Sequence, residues 1–140
     1  MTDTTQTTQA AGPVVTARAW LARILTGIIS SHSVLEGWTV CQYMPELINP
    51  PVLIITESDP LMDFTNETTG AATVNLEIAV IARGQANPDT FPALDGAVDA
   101  LVTGLYPVCR LSLTSYSTVT TPDQTKYLAA RIGVAIHLNI

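Results

Sequence analysis

Ile48-Asn49-Pro50-Pro51-Val52-Leu53-Ile54-Ile55, followed shortly by Asp59-Pro60, is the stretch whose reading decides the fold of this chain. Proline fixes φ and has no N–H, so the Pro50-Pro51 pair delivers the backbone in an extended state and keeps helix from spreading backwards. The apolar run behind it, residues 52–56, lacks clear alternation, which suits a strand covered on both faces. Asp59-Pro60 is expected to close that strand.

On the N-terminal side, Pro13 suits the first turn of a helix. Val14, Ala17, Leu21, Ile24 and Ile28 then recur at three-to-four-residue steps, joined by Trp20 and Leu25, as an amphipathic helix requires. The pattern ends near Ser30-Ser31-His32-Ser33, where His32 is placed to cap helix carbonyls. Residues 38–43 alternate well enough for a first strand, and Pro45 stops it. Residues 1–12 are Thr, Gln and Ala with one acid, too polar to offset the entropy of ordering, and read as an arm of their own.

On the C-terminal side, residues 57–70 read as a polar loop with Leu61, Met62 and Phe64 in its middle. Loops rarely carry such side chains without burying them, which makes these three candidate interface residues. They dock either on a neighbouring subunit or back over their own sheet. Residues 73–83 alternate plainly, with Val74, Leu76, Ile78 and Val80 on one face. After a turn at 84–88, Thr90 reads as an N-cap, and Leu94, Ala97, Val98, Leu101 and Leu105 stripe a second helix over 91–105. Residues 108–116 and 127–140 are two further strands flanking a polar hairpin, the last being the cleanest in the chain. The order α-β-β-β-α-β-β predicts an α+β fold: a sheet of about five strands, mostly antiparallel, with two helices packed on one face. One domain over 13–140 accounts for the whole of it.

Composition narrows the function. At 140 residues the chain can bury about two-thirds of its unfolded surface in one core. Its residues are 47% hydrophobic and only 13% charged, against about a quarter charged in ordinary soluble domains, so something besides water is expected to cover part of the surface. Arg18 and Arg23 interrupt the first helix, which makes it a poor bilayer span, and no membrane is expected. The start Met1-Thr2-Asp3-Thr4-Thr5 lacks a basic and then apolar leader, so the chain is expected to stay in a cytoplasm. A net charge of −6 and a pI near 4.5 oppose direct gripping of nucleic acid.

Little points to catalysis. The chain has no Gly-rich phosphate loop, nucleophile elbow, HExxH or EF-hand spacing, and it has two histidines and one lysine. Cys41 and Cys109 form no CxxC and read as small buried hydrophobes. Asp95 and Asp99, four apart on a helix, could form a metal site or an acid/base pair, but helix-dipole stabilisation and a solvated or lumen-facing role explain them better, with Asp89 extending the stripe. His137, on the same face as Arg131, lacks the positioned partner that a general base needs. Asn66-Glu67-Thr68 matches a glycosylation sequon, too short a pattern to predict modification. No enzyme, cofactor or metal is expected.

The helix with Trp20, the Gly37-Trp38-Thr39-Val40 strand, the Asn49-Pro50-Pro51 approach to Val52-Leu53-Ile54-Ile55, Asp59-Pro60 and the segment Ala93-Leu94-Asp95-Gly96-Ala97-Val98-Asp99-Ala100-Leu101 follow one another in an order that resembles the tail terminator proteins of long-tailed phages, particularly those of actinobacteria. The resemblance spans about residues 13–140. It implies a six-fold homo-oligomeric ring in the virion neck, assembled in the host cytoplasm. The ring would cap the tail tube protein, stop its polymerisation and present a docking surface to the head-tail connector protein. DNA would pass through the lumen without specific binding. Two other readings stand beside it: a head-completion or connector ring of the phage neck, and a small-molecule-binding α+β module, which would need a pocket with convergent polar groups.

Overall fold

Helix α1, Pro13–Ser31, begins where Pro13 pre-sets φ, with Gly12 at the N-cap and the Thr16 N–H donating to Gly12 O at 3.0 Å. It ends at His32, whose backbone is extended and whose Nδ1 lies 3.0 Å from Ile28 O. The computed structural model describes residues 12–64, 69–84 and 88–139, with only the backbone of Leu113. The arm expected over residues 1–12 falls outside this range except for Gly12, and the sequon over 66–68 falls outside it entirely.

After a short 3-10 turn, Ser33–Leu35, the strands are β1 (Thr39–Cys41), β2 (Val52–Asp63) and β3 (Ala71–Ile81). A second 3-10 turn, Pro88–Thr90, leads into helix α2 (Phe91–Leu105), and β4 (Arg110–Thr120) and β5 (Lys126–Asn139) follow. The strands form one five-stranded sheet in the order β1-β2-β3-β5-β4. Only β1 and β2 run parallel; the other pairs are antiparallel. The fold is α+β, as the order of elements predicts.

Both helices lie on one face. Ala17, Leu21, Leu25 and Ile28 of α1 and Leu94, Ala97, Leu101 and Leu105 of α2 are buried against Leu53 and Ile55 of β2. Val74, Leu76, Ile78 and Val80 of β3 and Ala130, Ile132 and Val134 of β5 complete this core. Burial of each large side chain contributes about 1.5–3 kcal/mol. The α1 segment has the length and mean hydropathy, 1.2, of a membrane span, but its apolar stripe is spent on this core, the role of a helix within a folded domain.

The opposite face divides in two. At one end Val52, Ile54, Ala79, Ile81 and Ala129 are buried beneath Cys41, Ile48, Val119 and Tyr127. Ile48 belongs to the segment that carries the chain from β1 to the parallel β2, so this crossover covers the sheet without a helix. Thus the unalternating run 52–56 is covered on both faces, with Leu53 and Ile55 under the helices and Val52 and Ile54 under the crossover. Farther along, the face is polar: Arg131 pairs with Glu77 at 2.8 Å and donates to Ser117 Oγ at 3.2 Å.

The structure corrects the reading of Asp59-Pro60. The strand does not close there but continues to Asp63. The pairs Glu57↔Leu76 and Met62↔Val74 bracket an irregularity in which five steps along β2 oppose two along β3. Proline is tolerated at such a bulge because no ladder bond is asked of it, and β1 pairs β2 only as far as Ile54. Pro60 thus lies where one side of β2 is already an edge. Asn75 Nδ2 donates to Pro60 O at 3.1 Å within the bulge. Elsewhere the bounds shift modestly: β1 is shorter than residues 38–43, and β4 runs on to Thr120, where 117–120 reads from sequence as hairpin.

Candidate interaction surfaces

Leu61, Met62 and Phe64 are on or just beyond the end of β2 rather than in a loop. Leu61 and Met62 are half-buried against the helix-side core, while Phe64 is 56% exposed. Met62 pairs opposite Val74, which faces the helices, whereas Phe64 lies past the end of the strand. Of the three, Phe64 presents the largest open apolar surface.

Larger exposed apolar groups lie elsewhere. In the crossover after β1, Tyr43 is 61%, Met44 60% and Leu47 82% exposed. At the opposite edge of the sheet, Phe91 at the start of α2 stacks on Tyr116 of β4, centroids 6.0 Å apart and planes 28° apart, with both rings partly open. Tyr106 and Val108, in the link between α2 and β4, are exposed as well. The two edges therefore present different apolar patches. Neither was marked by sequence: residues 43–47 show no periodicity, and Phe91 and Tyr116, 25 positions apart, meet only when the helix packs beside β4.

The three candidate acidic residues lie on α2 or in the turn before it. Asp95 and Asp99 are exposed on α2 beside Tyr116, whose hydroxyl donates to Asp95 Oδ1. Partial burial, that hydrogen bond and the charges of Asp95 and Asp99 together push Tyr116 up to about 12. It is held protonated, a donor rather than a phenolate nucleophile. Asp89 is exposed in the 3-10 turn that leads into α2. Among the described residues no group of three or more His, Cys, Asp or Glu is arranged to hold a metal ion. Thr90 stands at the N-cap of α2 as expected, but its side chain makes no cap bond.

Arg18 is the functional group that sequence reading passed over. It is only 4% exposed, on α1 facing the junction of β1 and β2. Nη1 donates to Ile55 O at 2.9 Å and also to Gln42 O, while Nη2 meets Glu57 Oε2 at 2.9 Å. Its guanidinium carbon lies 4.4 Å from the centre of the Tyr43 ring. The parallel β1–β2 ladder ends at Cys41↔Ile54, so Gln42 and Ile55 are the next residues along, and Arg18 takes the carbonyls that the ladder leaves. The contact also seats the exposed crossover, through Tyr43, on the body of the fold.

The two thiols are half-buried: Cys41 packs under the crossover, and Cys109 packs against the main core with Sγ donating to Leu105 O at 3.5 Å. Burial pushes the Cys109 thiol up, away from reactive thiolate. His137 and Arg131 share the face opposite the helices, as alternation predicts, and Arg131 is engaged by Glu77 and Ser117. Comparison with protein-family models and with curated proteins finds no match for this chain.

Proposed function

We propose that this chain is a structural virion protein, the terminator of a long phage tail, acting without catalysis as a ring that caps the tube. The observation that carries the reading is the pair of dissimilar apolar patches at opposite edges of one sheet: Tyr43, Met44 and Leu47 beside β1, and Phe91 with Tyr116 beside β4. Unlike surfaces meet head to tail, and a head-to-tail contact that closes gives a ring, whereas self-complementary patches give a two-fold dimer. The apolar composition and the order of elements support it further, since obligate interfaces are rich in apolar surface.

In this reading the mechanism is geometric. One face of the ring matches the last ring of the tube, and the other accepts the connector but no further tube subunit. The acidic Asp95 and Asp99 on α2 suit a surface past which DNA slides without sticking.

Interrupting the gene in a phage that carries it, and imaging the lysate by electron microscopy, tests the reading. Overlong tubes beside full, unjoined heads are expected. Tails of normal length beside heads that fail to join would point to a connector ring instead, and intact infectious particles would remove both.

A further inference from the structure

The two edges of the sheet differ in how they are guarded. A strand edge invites pairing unless brevity, charge, proline or a bulge blunts it. The β1–β2 edge has all four: β1 is three residues long, and the open side of β2 beyond it carries the irregularity, Glu57, Asp59 and Pro60. β4 is eleven residues long, and from Leu111 to Thr120 it has no charged residue, proline or glycine. Its own irregularity lies between Leu111 and Thr114, so residues 114–120 pair regularly with β5 on one side. On the other side they have no strand partner among the described residues.

Direction and level select what fits there. β1 runs with β2, and β3, β5 and β4 then alternate, so β4 runs opposite to β1. A second copy carried along the sheet therefore sets its β1 antiparallel to β4, with the helices of both copies on one face. The sheet's own rungs give the register. Thr39, Val52, Ile81, Ala129 and Ser117 share one rung, and Cys41, Ile54, Ala79, Arg131 and Ser115 share another. Charge agrees with this fit. Residues 37–45 around β1 are as free of charge as β4, and opposite charges flank the contact at one end: Glu36, three residues before Thr39, and Lys126, paired with Thr120, both exposed. Pairing β4 with β4 of a second copy would instead turn the exposed Asp95 and Asp99, beside each Tyr116, toward one another.

We propose that the β4 edge is taken by β1 of a second copy, Thr39–Cys41 lying antiparallel to residues 115–117, so that one sheet runs on from subunit to subunit. This pairing rests on the head-to-tail reading above and supplies its backbone. It also carries the exposed Tyr43 and Met44, which follow Cys41, alongside the first half of β4.

Native Cys41 makes the test direct. Opposite residues of an antiparallel pair have Cα atoms about 4.5–5.5 Å apart, within disulfide reach. In a Cys109→Ala background, whose melting temperature checks the fold, Ser115→Cys gives each copy one thiol at either edge. Mild oxidation with diamide should then yield a ladder of covalent oligomers on non-reducing gels, dimer, trimer and beyond, which adding Cys41→Ala collapses to monomer. In the unaltered chain, amide hydrogen exchange over residues 114–118 should slow about tenfold or more as rising concentration carries it from monomer to oligomer in sedimentation. Association that lacks either the ladder or this slowing would overturn the strand pairing and leave the ring reading standing. A chain that is monomeric at every concentration would overturn both. Covalent dimers alone, surviving Cys41→Ala, would show β4 paired with β4 and overturn the proposal as well.

Discussion

The Arg18 guanidinium ties helix α1 to two carbonyls and one carboxylate at the end of the parallel ladder. Removing it leaves Ile55 O and Gln42 O without that donor, so Arg18→Ala should lower unfolding free energy by about 2–4 kcal/mol. Glu57 is mostly exposed, and Glu57→Gln should cost no more than about 1 kcal/mol. Denaturant melts of the two variants check the asymmetry; equal losses would mean that the ion pair, not the carbonyls, holds the junction. Tyr116 gives a pH signature. An unfolded tyrosine ionises near 10, and in the fold Tyr116 rises to about 12. The folded state thus favours the neutral phenol. Its contribution is intact below pH 10 and is lost as pH climbs through 12. Tyr116→Phe should remove the late component of the tyrosinate absorbance titration and flatten the fall in stability between those values. Neither role could be read from sequence: Arg18 looks like any cation on an amphipathic helix, and its partners are 24 to 39 positions away.

At the scale of elements, periodicity carried most of the information. The second helix was legible to its ends because its stripe, its proline in the first turn and its flanking turn all agree. Strand β2 was not, because Pro60 is a local stop signal that a bulge and an open strand side overrule. That single misreading turned Leu61 and Met62 from strand residues into part of a loop patch with Phe64. Between the helices, a Cβ at Gly104 would lie 2.7 Å from Ile28 side-chain atoms. Gly104→Ala should therefore destabilise by about 1 kcal/mol, overpacking outweighing the gain in helix propensity. The cost should shrink in an Ile28→Ala background, and a double-mutant cycle without coupling would place the strain elsewhere. In the β4–β5 turn Gln124 has φ 70, a left-handed backbone that glycine adopts freely. Gln124→Gly should raise stability by about 0.5–1 kcal/mol in a thermal melt; a fall would show that the side chain, not the backbone, governs the turn.

For the whole molecule, composition foretold the exposed apolar surface but not its location. The sheet has two unlike edges, with Tyr43, Met44 and Leu47 exposed at one and Phe91 and Tyr116 at the other, while Leu61 and Met62 are half-buried. Substituting Leu47 and Met44 with serine should leave the fold intact, since both side chains are open, while abolishing head-to-tail association in sedimentation. Rings persisting in that variant would exclude the crossover from the contact. The central claim, that the closed ring halts a growing tube, is met most directly by polymerising the partner tail tube protein with and without this chain and measuring tube lengths by electron microscopy. Added chain should shorten the length distribution in proportion to its ratio to tube protein, with a distinct cap at one end of each tube. A length distribution unchanged at any ratio would contradict it.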